Sequence, residues 1–248
     1  MQSSFSRFAL TLLLLAGTFA VFQFTDIDVW VQDHFYNFEK HRWFLDNQAP
    51  WPRLIFYTGS KIVLAIAGGG LVVWLLFPTR WRPRSLQRVE LPWPSHRLWP
   101  MLLCLTIVPI TIGAMKRRSD LSCPWSIDRY GGDRPHLRFF DALPPGYRPD
   151  CGKCFPAGHA SGGFALFGLS LLSDSRRSRW IGLATGMTAG WLLGGYQMLK
   201  GAHFLSHTVV TMLIAWAFVE LLSYLSNIWS NQSRRRRSRH SQRVEVRL

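Results

Sequence analysis

Acidic side chains are scarce in this sequence: 14 Asp and Glu stand against 29 Lys and Arg. No carboxylates gather in a spacing that holds magnesium or zinc; Asp120, Asp128 and Asp133 come nearest and match no metal signature. Chemistry without a metal or other cofactor, resistant to chelators, is expected. Cysteine is scarce too. Cys104, Cys123, Cys151 and Cys154 are too few for a disulfide scaffold and lack the partners of a zinc site. Also missing is a 2.0- or 3.6-residue alternation of apolar and polar positions. Apolar residues come in blocks instead, which favours a membrane protein over a soluble domain.

A net charge of +15 in a soluble chain would point to nucleic acid. Here the basic residues sit mostly in short loops beside apolar blocks, so no nucleic-acid partner is expected. The mean hydropathy of +0.05 hides the blocks, because the charged loops dilute them.

Crossing a hydrocarbon core of ~30 Å takes about 20 mostly apolar helical residues. Six segments qualify: Phe8 to Phe24, Leu54 to Phe77, Leu98 to Met115, Gly158 to Leu172, Trp180 to Leu199 and Phe204 to Tyr224. The expected fold is all-α, an integral membrane six-helix bundle over residues 1–230, followed by a basic and disordered cytoplasmic tail, 231–248. The first segment has the basic start and apolar run of a signal peptide, but no clean small-x-small site follows, so it reads as an uncleaved anchor.

Arg80, Arg82, Arg84, Arg88 and Arg97, then Arg176, Arg177 and Arg179, then Arg234 to Arg237, fall in alternate connections and mark the cytoplasmic side. Both termini are then cytoplasmic, in a multi-pass protein of a membrane such as a bacterial inner membrane. Residues 25–53, 116–157 and the turn from Lys200 to His203 lie on the periplasmic or extracellular face. The loop 116–157 is itself basic, against the charge rule, which suits an anionic substrate. Residues 25–53 mix Trp30, Phe35, Tyr36, Trp43, Phe44 and Trp51 with charges, and read equally as a helix in the headgroup layer or as a packed aromatic loop.

Three short pieces then meet at the outer boundary: Lys116 with Cys123-Pro124, Pro156-Ala157-Gly158-His159, and Gln197 through His203 to His207. A lone histidine in a helix is usually a packing residue. Three at the ends of three spans, beside a lysine-led basic loop, point to chemistry. Phosphoryl transfer needs positive charge on the equatorial oxygens, an in-line nucleophile and an acid for the leaving group. The helix opened by Ala157 and Gly158 offers amides to a phosphate, and Lys116 adds a charge. His203 is the candidate nucleophile. His207, four residues on, shares its helix face and can fix its tautomer, while His159 protonates the leaving oxygen and later activates water.

On these residues the chain resembles the type 2 phosphatidic acid phosphatase family. That pattern is Lys, six residues, Arg-Pro; then Pro-Ser-Gly-His; then Ser-Arg, five residues, His, three residues, Asp. Lys116, Pro124, Pro156, Gly158, His159 and His203 match it. Cys123 stands for Arg, Ala157 for Ser, Tyr196-Gln197 for Ser-Arg and His207 for Asp, so two phosphate-binding arginines are missing, and Arg117, Arg118, Arg129 and Arg134 are open candidates for the lost charge. The resemblance implies a six-helix fold, an outward-facing site and a phosphohistidine intermediate, with Gln197 at a phosphate-binding position.

Metal-independent hydrolysis of a lipid phosphate or lipid pyrophosphate is the leading reading, with the substrate and the surrounding membrane lipids as partners. One alternative passes the phosphate from polyprenyl pyrophosphate to a glycolipid such as lipid A. Another, of a different class, is a non-catalytic binder of anionic lipid. A disulfide from Cys123 to Cys154 or Cys151 is also expected, since these residues flank the ends of the catalytic loop on an oxidising face. For the topology, an alkaline-phosphatase-type reporter fused at residue 232 should be silent, since it needs export. Activity there would invert the arrangement.

Overall fold

The computed structural model describes residues 2–46, 49–77, 91–146 and 153–245. The apolar blocks form helices α1 (Gln2–Phe24), α3 (Pro50–Leu76), α4 (Ser95–Arg117), α5 (Gly158–Ala165), α6 (Arg176–Leu199) and α7 (Leu205–Glu245). Between α1 and α3 lie the short helix α2 (Ile27–Asp33) and a two-stranded antiparallel hairpin, β1 (Tyr36–Asn37) and β2 (Arg42–Trp43). The chain is mostly helical, as its sequence leads one to expect.

Among the described residues, four helices are long and apolar enough to cross a membrane: Phe5–Phe24, Pro50–Leu76, Ser95–Arg117 and Leu205–Ile228. The other two expected spans depart from that description. The segment from Gly158 is 8 residues of α-helix continued by 6 of 3₁₀ helix, Leu166–Leu171. At the usual rises it reaches about 24 Å, short of the ~30 Å core. Helix α6 has the length, 24 residues, but Arg176, Arg177 and Arg179 in its first turn and its many glycines dilute its hydropathy. Helix α7 runs on through Arg234 to Arg237 as far as Glu245. Arginine is a good helix former, and a helix already nucleated by an apolar run propagates at little cost.

The centre of the molecule is the contact of α6 with α5 and its 3₁₀ continuation. Gly182, Gly186, Gly190 and Gly194 recur every four residues and share one face of α6. A Cβ on Gly182 would lie 2.5 Å from Ser170 N, one on Gly186 2.6 Å from Phe167 N, and one on Gly190 2.1 Å from the Phe164 ring. Across the contact, a Cβ on Gly163 would meet Gly190 N at 2.5 Å. The two backbones therefore nearly touch. Phe164 and Phe167, both fully buried, fill the space beside this seam with Cys104 and Val108 of α4 and Ala215 and Val219 of α7. At the opposite end from the histidines, Arg97 at the start of α4 pairs with Asp174 in the turn before α6.

Residues 25–46 form a packed cap, the aromatic-loop alternative of the two readings. Tyr36, Trp43 and Tyr130 meet ring to ring at about 5 Å and, with Ile127 and Phe204, make a second small core. The cap is tied to the α6–α7 turn by Gln32 Nε2 donating to Met198 O (2.7 Å) and by Leu45 N donating to Leu199 O (3.1 Å). Gly201 takes a positive φ of 70° there, and Trp43 occupies the space its Cβ would need. Asp28 is buried in the cap and accepts a hydrogen bond from Ser206 N (2.7 Å), satisfying one of the open amides at the start of α7.

Two stability predictions follow from this packing. Gly190→Ala places a methyl inside the Phe164 ring and should lower stability by about 1 to 3 kcal/mol or more, whereas Gly195→Ala, with nothing within 4 Å, should be neutral or slightly stabilising. Thermal unfolding in detergent reads the difference, and equal melting temperatures would refute the seam. Burial raises the Asp28 carboxyl to about 6, from an ordinary 3.8. A raised carboxyl is most favourable to folding below about pH 4 and costs stability as pH rises through 6, by about 3 kcal/mol at most. Asp28→Asn still accepts from Ser206 and cannot ionise. Its stability should match or exceed wild type at pH 7.5, and this advantage should vanish by pH 4.

Candidate active site

Proline and alanine precede Gly158, so helix α5 begins abruptly, with Ala157 in extended conformation as its N-cap residue. Lys116, in the last turn of α4, reaches over this helix start: its Nζ lies 4.0 Å from the point a Gly158 Cβ would occupy. An ammonium thus stands over the positive end of a helix whose first amides lack intrahelical partners. The Ala157 amide donates to Thr211 Oγ1 (3.0 Å) and His207 O (3.3 Å), which holds α5 against α7. Gly158 and the amides after it open the helix beneath the Lys116 ammonium.

His203 and His207 are both buried, and their Nδ1 atoms lie 3.4 Å apart, close enough for one proton to be shared between the rings. That pairing leaves the Nε2 of His203 as its free nitrogen. Burial, with His207, Lys116, His159 and Lys200 adding to it, holds the His203 ring well below its ordinary pKa, so it stays neutral and keeps a lone pair. His159 lies in the same field, and its buried Nε2 has no hydrogen-bond partner among the described residues. The three histidines and Lys116 of the sequence reading are therefore brought together.

Cys123 and Cys154 are joined by a disulfide, one of the two expected pairings; Cys151 lies outside the described residues. It closes 31 residues of sequence and ties the loop after α4 to the entry of α5, a restraint of about 3 to 4 kcal/mol in the chain-entropy model. The Cys154 sulfur lies 3.5 Å from His203 Nδ1 and 3.0 Å from Ala202 O. With His203 and His207 it forms the tightest group of metal-ligating atoms among the described residues. As a disulfide, though, Cys154 has no thiolate to offer a metal.

The loop arginines are engaged elsewhere. Arg129 forms a two-pronged pair with Asp33 (2.6 and 2.8 Å), Arg138 pairs with Asp26, and Arg134 lies 3.7 Å from its neighbour Asp133. The Arg129 and Arg138 pairs pin the loop to the cap, and Arg117 and Arg118 are exposed. Gln197 is buried, with its backbone oxygen accepting from Ala202 N (2.8 Å) in the α6–α7 turn. Its side-chain nitrogen has no hydrogen-bond partner among the described residues.

Two lysines that the sequence reading passed over lie at the site. The Nζ of Lys61, on α3, sits 4.0 Å above the Tyr57 ring, and that ring lies 4.2 Å from the His159 ring, centroid to centroid. Lys200 is buried over Tyr57 and Tyr196, at 5.5 and 5.1 Å. Lys61, Lys116 and Lys200 all act electrostatically on His159. Lys61 had a legible signal, as a cation inside an otherwise apolar run.

The family model described as the PAP2 superfamily matches residues 97–230, more than half of the chain. No curated protein and no solved structure matches it. The matched stretch holds Lys116, His159, His203 and His207, the residues that meet at the start of α5. The chain belongs to the PAP2 superfamily, whose members act on phosphate esters as phosphatases or phosphotransferases.

Proposed function

We propose that the protein is a six-helix membrane phosphatase that hydrolyses a lipid phosphate or lipid pyrophosphate through a phosphohistidine on His203. The observation that carries this reading is the meeting of Lys116, the α5 N-terminus, His159 and the His203–His207 pair at one end of the bundle. In this reading α5 with its 3₁₀ continuation and α6 complete the six by lying against four spanning helices, and the site faces outward with both termini cytoplasmic.

The phosphate settles on the amides from Gly158 onward and on the Lys116 ammonium, which stabilise its equatorial oxygens. His203 Nε2 donates its lone pair to phosphorus as the bond to the lipid oxygen breaks. His207 holds the Nδ1 proton of His203, so the attacking nitrogen stays unprotonated. His159 gives a proton to the departing oxygen, and the bound dianion offsets the charge that a protonated His159 carries beside the lysines. His159 then takes a proton from water; the hydroxide attacks phosphorus, the N–P bond breaks, and the electron pair returns to His203.

The two buried histidines should separate by substitution. His203→Ala removes the attacking atom and should abolish both turnover of phosphatidic acid in mixed micelles and covalent labelling by ³²P-phosphatidic acid. His207→Ala leaves the attacking atom but frees its ring, so activity should fall on the order of 10- to 1000-fold without vanishing. Substantial turnover by His203→Ala, or a phosphoenzyme on another residue, would disprove the nucleophile.

A further inference from the structure

Two arginines of the family's phosphate-binding pattern are replaced here by Cys123 and Gln197, and neither replacement carries charge. Cys123 is consumed in the disulfide, and among the described residues the buried side-chain nitrogen of Gln197 has no hydrogen-bond partner. Among the described residues, Arg129 and Arg138 are bound to cap carboxylates, Arg134 lies beside Asp133, and Arg117 and Arg118 are exposed. A site for a dianion nonetheless needs more than one ammonium, because each charged contact to a buried anion offsets part of its desolvation.

Tyr57 organises the replacement. It lies in a stretch of α3, Arg53–Gly59, wound as a π-helix, in which Ser60 N donates to Ile55 O five residues back. Gly59 permits the wide turn, since a Cβ there would meet Leu54 O at 2.8 Å. The ring so presented touches His159 on one side, carries Lys61 Nζ at 4.0 Å and has Lys200 Nζ at 5.5 Å. Ammonium groups on an aromatic face are stabilised without being neutralised and remain able to donate to an oxyanion. Among the described residues, neither Lys61 nor Lys116 has a carboxylate within ion-pair distance. Holding Lys61 and Lys116 near one another is unfavourable unless an anion joins them. Burial and the nearby Arg53 hold Lys200 below its ordinary value.

We propose that Lys61 and Lys200, positioned by Tyr57, form with Lys116 a three-lysine phosphate site that supplies the charge of the two missing arginines. The three come from different elements, α3, α4 and the α6–α7 turn, and all act electrostatically on His159. Lys61 lies outside the matched stretch 97–230, so this site draws on a helix that the family pattern does not describe. The proposal rests on the phosphatase reading, but its test does not require turnover.

Inorganic phosphate is the probe, added to detergent-purified full-length protein, and the readouts are the phosphate-induced rise in melting temperature and, where turnover is seen, the inhibition constant for phosphate. Phosphate should stabilise wild type and also His203→Ala, which keeps all three lysines. Lys61→Gln and Lys200→Gln should each weaken phosphate binding about 10- to 100-fold, the usual scale of one charge-assisted contact. The KM for phosphatidic acid should rise with it. Lys200→Arg should retain binding, and Lys40→Gln, on the exposed hairpin turn, should change neither readout. Lys61 is exposed on α3, so its variant should fold and decides the matter if Lys200→Gln does not. The proposal is overturned if phosphate fails to stabilise wild type, or if Lys61→Gln binds phosphate within twofold of wild type. Loss of turnover in no variant but Lys61→Gln and Lys200→Gln, with His203→Ala still active, would instead sink the nucleophile assignment and leave the lysines standing.

Discussion

Everything at the site depends on how closely α6 approaches α5. Gly182, Gly186 and Gly190 on one face of α6 let its backbone lie against Ser170, Phe167 and Phe164, where any side chain would hold the helices apart, and Gly194 does the same against Thr208 of α7. The histidines sit at the two outer corners of that contact, His159 on α5 and His203 just past the end of α6. An ångström of separation along the seam would be an ångström between the proposed acid and the proposed nucleophile. Van der Waals packing between small residues suits this task inside a membrane, where lipid tails compete with ordinary apolar contacts but cannot enter a gap this narrow.

The basic surplus divides into two populations by partner. Arg129 and Arg138 meet carboxylates of the cap and act as fasteners between the loop after α4 and the segment before α3. The lysines meet aromatic rings and a helix start instead. Guanidinium groups hold bidentate carboxylate pairs well, whereas a compact ammonium suits a crowded site beside two imidazoles. The scarcity of acidic residues is thus locally uneven, because the outer acids nearest the loop are used by the cap.

What was legible in the sequence was short in range. Lys116, Gly158, His159, His203 and His207 lie in brief patterns whose spacing carries their chemistry, and the structure brings them together. Lys61 was lost because only the fold of α3 carries it to His159, across nearly one hundred residues of sequence. Lys200 was read as part of a turn, since nothing local says which way a turn lysine points. The hydrogen bond from the Ala157 amide to Thr211 was not legible, because it joins residues 54 apart in sequence. Six apolar segments were seen, yet two of them owe their apolar character to glycine and to burial against neighbours, which a hydropathy count cannot separate from contact with lipid.

The bond between Cys123 and Cys154 also changes the chemistry beside His203, quite apart from holding the loop. As a thiolate, Cys154 would give a soft sulfur ligand 3.5 Å from one ring nitrogen of His203, with His207 completing a grip suited to zinc or copper. A metal on that nitrogen would drive the remaining proton to the other one and extinguish its lone pair. Oxidation therefore immunises the imidazole against thiophilic ions, and a chain that has not yet been oxidised is open to that form of poisoning.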